Sequence, residues 1–146
     1  MKKEIAIIGL IVCSFCYAGA QSMNLASCEL LDKATHTSVF KDHFIICNYP
    51  GTPLTIVDAS KFFESCVLSR VCEREMKISS EHLSGASIEK GSDKTTKHNI
   101  VLYKVEEKNN AVVLYFWQPI DNANLVLELK KCKRKIKVRT LTMGVF

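Results

Sequence analysis

The sequence predicts an α+β domain: one principal helix packed on a four- to five-stranded antiparallel meander, held by disulfides. Three observations carry that expectation. Asn99–Trp117 (NIVLYKVEEKNNAVVLYFW) alternates and then runs apolar, as two strands of a hairpin do. Residues 124–129 and 134–141 alternate twice more. Thr55–Arg74 carries Ala59, Phe62, Phe63, Cys66, Val67 and Val71 at helical spacing.

Taken in order, Met1–Ala20 has the makeup of a signal peptide. Lys2 and Lys3 lead an apolar stretch, and Ala18-Gly19-Ala20 fits a small-residue cleavage site, leaving residues 21–146 as one secreted domain. The apolar stretch is too short for a comfortable membrane span, and no second one follows, so no transmembrane segment is expected. There is no N-x-S/T site to direct N-glycosylation.

Leu25–Ala34 reads as a short helix and Val39–Tyr49 as β-like. Pro50-Gly51-Thr52-Pro53 reads as a turn. Thr55 opens the principal helix, with Asp58 suited to the positive end of its dipole. Met76–Ile78 is a short strand. Residues 79–98, rich in Ser, Thr and Gly, form a long mobile surface loop. In the hairpin, Ile100, Leu102 and Lys104 are assigned one face and Val101, Tyr103 and Val105 the other. The asparagine-rich stretch Glu106–Asn110 makes the turn. Val112–Trp117 has no polar residue and is expected to be covered on both faces, with Pro119 ending it. In the last two strands Leu125, Leu127, Leu129, Ile136 and Val138 face inward, while Lys135, Lys137 and Arg139 face outward.

Five cysteines follow the leader. Cys28, Cys47, Cys66 and Cys72 are the disulfide candidates, and Cys132 is a free or intermolecular thiol, the residue through which a disulfide-linked homodimer would form. Six residues of one helix rise about 9 Å, beyond the ~7 Å limit for a bridge, so a helical Cys66 and Cys72 cannot pair with each other. The favoured pairing is Cys47–Cys66 with Cys28–Cys72. The alternative is a bridge to Cys132 that leaves Cys28 over. Cations around Cys132 would stabilise its thiolate.

The whole chain carries 20 Lys and Arg against 15 Asp and Glu. Seven of those cations, Lys130, Lys131, Lys133, Arg134, Lys135, Lys137 and Arg139, fall within ten residues that hold no anion. That is an electrostatic footprint for a glycosaminoglycan, an anionic membrane surface or nucleic acid. The competing explanation is that cations on an edge strand block aggregation.

No constellation of catalytic residues, no metal set and no cofactor-binding motif is found. His43 and Cys47, four apart in a strand, would stand about 13 Å apart. After the leader, H-E-x-x-H, C-x-x-C, a nucleophile elbow and a phosphate loop are all absent. A helix ahead of a four-stranded meander is also the layout of secreted cystatin-type inhibitors. The hairpin tip Glu106–Asn110 lacks their Q-x-V-x-G motif, however, and the C-K-x-x-N-T-F segment of pancreatic-type ribonucleases is missing too. No family is assigned.

The expectation is therefore a secreted, non-enzymatic binding protein that engages an extracellular protein or a polyanion through the basic C-terminal hairpin. One alternative is a carrier of a small apolar ligand between helix and sheet. Another is a small hydrolase or nuclease using His36 or His43.

Overall fold

The computed structural model of the chain describes residues 27–80 and 99–145. The expected signal peptide and nearly all of the expected loop 79–98 lie outside the described residues. The elements are helices α1 (Cys28–Thr35) and α2 (Ser38–His43), a 3-10 turn at Ile46–Asn48, and six strands: β1 (Leu54–Asp58), β2 (Met76–Ser79), β3 (Asn99–Lys108), β4 (Ala111–Gln118), β5 (Ala123–Cys132) and β6 (Lys135–Val145).

The strands form one mixed sheet in the order β2-β1-β3-β4-β5-β6. β1 is parallel to both of its neighbours, and β3 to β6 run as an antiparallel meander. The α+β class therefore holds, but the sheet has six strands rather than four or five, and it is not wholly antiparallel.

The principal helix does not form. Its first residues become β1, because Thr55-Ile56-Val57 is a β-branched run, stiff at χ1 and suited to a pleated surface. Ile56 and Val57 are both buried, as a strand flanked by parallel neighbours requires. Asp58 ends the strand. One of its carboxylate oxygens accepts from the N–H and hydroxyl of Ser60, and the other accepts from Phe63 N–H at 2.7 Å. Residues 59–75 then run as an irregular loop. It closes in a two-residue turn at Cys72-Glu73, both left-handed (φ 49 and 63), between the bridged Val71 and Arg74.

Val39–Tyr49, expected to be β-like, holds α2 and the 3-10 turn instead. Thr37 caps α2, its hydroxyl accepting from Phe40 N–H at 3.2 Å. Phe40 and Phe44, four apart, share one face, and both are buried. The turn at residues 49–52 appears as expected, with Gly51 at φ 78, the conformation a Pro-Gly type II turn needs.

The helices cover one face of the sheet. Phe40 packs edge-on against Phe116 at 5.2 Å and Phe44 at 5.0 Å. Leu30, Leu31, Ile56, Ile100, Leu102, Leu114, Leu125 and Leu127 complete the core. Arg74, which the sequence placed at a helix end, is buried among them at 2 % exposure. Its guanidinium donates to the carbonyls of Thr52 (2.7 Å), Ile46 (3.2 Å) and Pro53 (3.3 Å), joining three segments. Burial pushes its pKa down.

Two bridges tie the N-terminal half together. They are Cys28–Cys66 and Cys47–Cys72, so the four candidates are the right ones and the favoured partners were exchanged. Cys132 is disulfide-bonded as well.

Candidate functional site

The basic stretch folds as expected into a hairpin, and the pleat sorts its seven cations. Lys130 lies opposite Lys137, Cys132 opposite Lys135, and Glu128 opposite Arg139, all on the sheet face away from the helices. Lys131 pairs with Ile136 on the helix side, where its Nζ sits 3.0 Å from Glu29 Oε2 in the first turn of α1. Lys133 occupies the two-residue turn in the left-handed region (φ 55), with Arg134 beside it.

Glu128 neutralises part of the set. Its side chain is 12 % exposed and stands 3.0 Å from Arg139 and 3.7 Å from Lys130. Lys133, Arg134, Lys135 and Lys137 have no carboxylate within ion-pair distance among the described residues. They cluster at the turn and the outer edge of the sheet.

Two further cations join this face from β3. A register shift between Leu102 and Lys104 turns Lys104 outward and Val105 inward, reversing the faces expected for both. β3 also runs on through Glu106 to Lys108, where the sequence placed a turn. Lys108, Ala111, Lys130 and Lys137 therefore form one cross-strand row, and Glu106, Val113, Glu128 and Arg139 form the next. Neighbouring strands stand about 4.8 Å apart, so the first row spans roughly 14 Å.

Glu106 accepts from Lys104 and from the Tyr115 hydroxyl (2.8 Å), with Lys108 3.5 Å away. The Lys104 hydrogen bond, then that of Tyr115, lowers its carboxyl pKa to about 2. The same contacts raise the pKa of Lys104 and of Tyr115. Lys104 also sits over the Tyr115 ring at 5.0 Å. Across β3 to β6 this face carries six cations and two carboxylates, and both carboxylates are already engaged.

His36, named in the catalytic alternative, lies 3.9 Å from the Asp32 carboxylate, which also accepts from Ser69. His36 places Nδ1 2.7 Å from the Asp32 carbonyl and Nε2 3.1 Å from that of Arg70. His43 rests edge-on against Phe44, and Cys47 is in a disulfide. No group of three or more metal-ligating side chains occurs among the described residues. His82 and His98 lie outside them. The apolar-carrier alternative loses the helix that was to wall its cavity.

No helix among the described residues is long and apolar enough to cross a membrane. Two intramolecular disulfides fit an extracellular protein. No family model, curated protein or solved structure matches the chain.

Proposed function

We propose that this chain is a secreted, disulfide-stabilised binding protein without catalytic activity. It engages an extracellular polyanion of the sulfated glycosaminoglycan class through the tip and outer edge of the β5–β6 hairpin. The observation that carries this reading is the cluster Lys133, Arg134, Lys135 and Lys137, which has no carboxylate in reach among the described residues while Lys130, Lys131 and Arg139 are all paired. Uncompensated cations on a defined ridge raise the local anion concentration and exchange counterions for sulfates on binding.

Edge protection alone accounts poorly for their placement. The second half of β6 leaves Leu141, Met143 and Val145 exposed on the same open edge, without a charge among them.

The test is salt elution of residues 21–146 from a heparin matrix, beside a variant carrying Lys133→Ser, Arg134→Ser, Lys135→Ser and Lys137→Ser. Elution of the native chain well above physiological salt, lost in the variant, supports the reading. Equal elution of the two removes it.

A further inference from the structure

The loop between β1 and β2 exposes two apolar side chains, Phe62 and Val67, and holds Val67 on a rigid frame. Cys66–Arg70 runs without a turn or bend and with no left-handed residue. It is fixed at both ends: Cys66 is bonded to Cys28 on α1, and Cys72 is bonded to Cys47 beside α2. It is also fixed between those points. Leu68 and Val71 are buried in the core. Asp32 accepts from Ser69 N–H at 2.6 Å and from the Ser69 hydroxyl at 3.2 Å. The Arg70 carbonyl faces His36 Nε2 at 3.1 Å, and the Arg70 guanidinium donates to the Glu73 carbonyl at 2.8 Å.

On this frame Val67 stands out at 91 % exposure, the highest among the exposed large apolar residues. The backbone N–H and C=O groups of Ser65, Val67 and Leu68 make no hydrogen bond within the described structure. An isolated exposed valine on a mobile loop would carry no argument. A valine held out by two cystines, two buried neighbours and a carboxylate clamp, with no backbone hydrogen bond of its own within the described structure, is pre-organised for a partner.

Endopeptidase clefts bind extended backbone through main-chain hydrogen bonds and seat one side chain in a specificity pocket. We propose that Ser65–Ser69 is a substrate-like loop for a serine endopeptidase whose pocket takes small branched aliphatic side chains, with Val67 in that pocket, and that the chain inhibits such an enzyme.

Pre-organisation separates an inhibitor from a substrate. Hydrolysis at Val67–Leu68 would add water, leaving a carboxylate on Val67 and an amine on Leu68. The Cys28–Cys66 bridge holds the first end. The buried Leu68 side chain and the Asp32–Ser69 contacts hold the second. The two ends stay in place, and religation competes with release. No hairpin cation takes part, so the heparin result and this inference stand or fall separately.

The test is inhibition of a pancreatic-elastase-type serine endopeptidase on a small chromogenic substrate by the oxidised chain. The inhibition constant is expected at about 1 μM or tighter. Val67→Glu puts a charge into an apolar pocket and is expected to weaken inhibition by about 100-fold or more. Val67→Arg is expected to transfer inhibition to a trypsin-type enzyme with an acidic pocket. Because Val67 is almost fully exposed, both variants keep the fold. No inhibition by the native chain at about ten times that concentration overturns the proposal. Equal inhibition by the native chain and Val67→Glu overturns it too.

Discussion

Replacing Arg74 by Met removes the guanidinium and keeps much of the apolar stem. Three hydrogen bonds to carbonyls are lost, each of a charge-assisted kind worth about 1.5–3 kcal/mol. Their plain sum overstates the effect for two reasons. Thr52 is only half-buried and Pro53 is exposed, so water can reach those carbonyls once the side chain is gone. Removing a buried charge also returns the desolvation cost that lowers its pKa. The carbonyl of Ile46, in the core, bears most of the net loss. We expect about 3 kcal/mol of destabilisation, equivalent to a fall of about 10 °C in Tm for a domain of this size. Arg74→Lys keeps a charge but not the fork, so it should fall between native and Met, at about 2 kcal/mol. The assay is urea unfolding of the oxidised protein, with the slope m checked for constancy. A Met variant within about 0.5 kcal/mol of native would refute the reasoning, and so would a Lys variant less stable than Met.

Three further outcomes follow from the geometry. Glu106 should titrate at about 2 by NMR, and Lys104→Ala should move that midpoint up. Its folded pKa lies below its unfolded value, so its contribution is complete above the ordinary carboxylate range and is lost as pH falls toward 2; an unmoved midpoint would contradict the assignment. Lys131→Ser should leave heparin elution nearly unchanged while Lys137→Ser lowers it, because Lys131 points to Glu29 on the opposite face; equal shifts would mean that the faces do not matter. Opening Cys28–Cys66 by a double Ser substitution should cost about 4 kcal/mol and opening Cys47–Cys72 about 3.5, from their loop lengths, and urea midpoints in the reverse order would count against a chain-entropy origin.

The C-terminal half was legible because its structure is local. Each strand from Asn99 on pairs with its successor, so alternation and turn residues carry both the strand positions and the inward set Leu125, Leu127, Leu129, Ile136 and Val138. The outward cations followed from the same pleat. Lys104 was missed because one bulge reverses the faces beyond Leu102, and nothing in the side-chain pattern marks it. The N-terminal half was misread because its constraints are long-range. Phe62, Phe63, Cys66 and Val71 fall at helical spacing, yet their segment is held by two cystines and by the Asp58 carboxylate on Phe63 N–H. The β-branched Thr55-Ile56-Val57 run was the available counter-signal, outweighed by the periodicity around it. Arg74 had no signal at all, since three backbone carbonyls leave no trace in side-chain identity.

The placement of β1 orders events in time. It lies between β2 and β3, parallel to both, while both described bridges belong to residues 28–72. β3 to β6 can close strand by strand through short connections, which is the fast, low-separation route. β1 then needs the free edge of β3 to dock on, and that edge is made of residues synthesised after it. A growing chain must therefore carry four cysteine thiols past the point of exit before the template that brings them together exists. Early oxidation would join them by proximity along the chain rather than by the fold. Neither native bridge joins sequence neighbours among the four cysteines, so a thiol that oxidised with its nearest neighbour would have to exchange before the native pairs form.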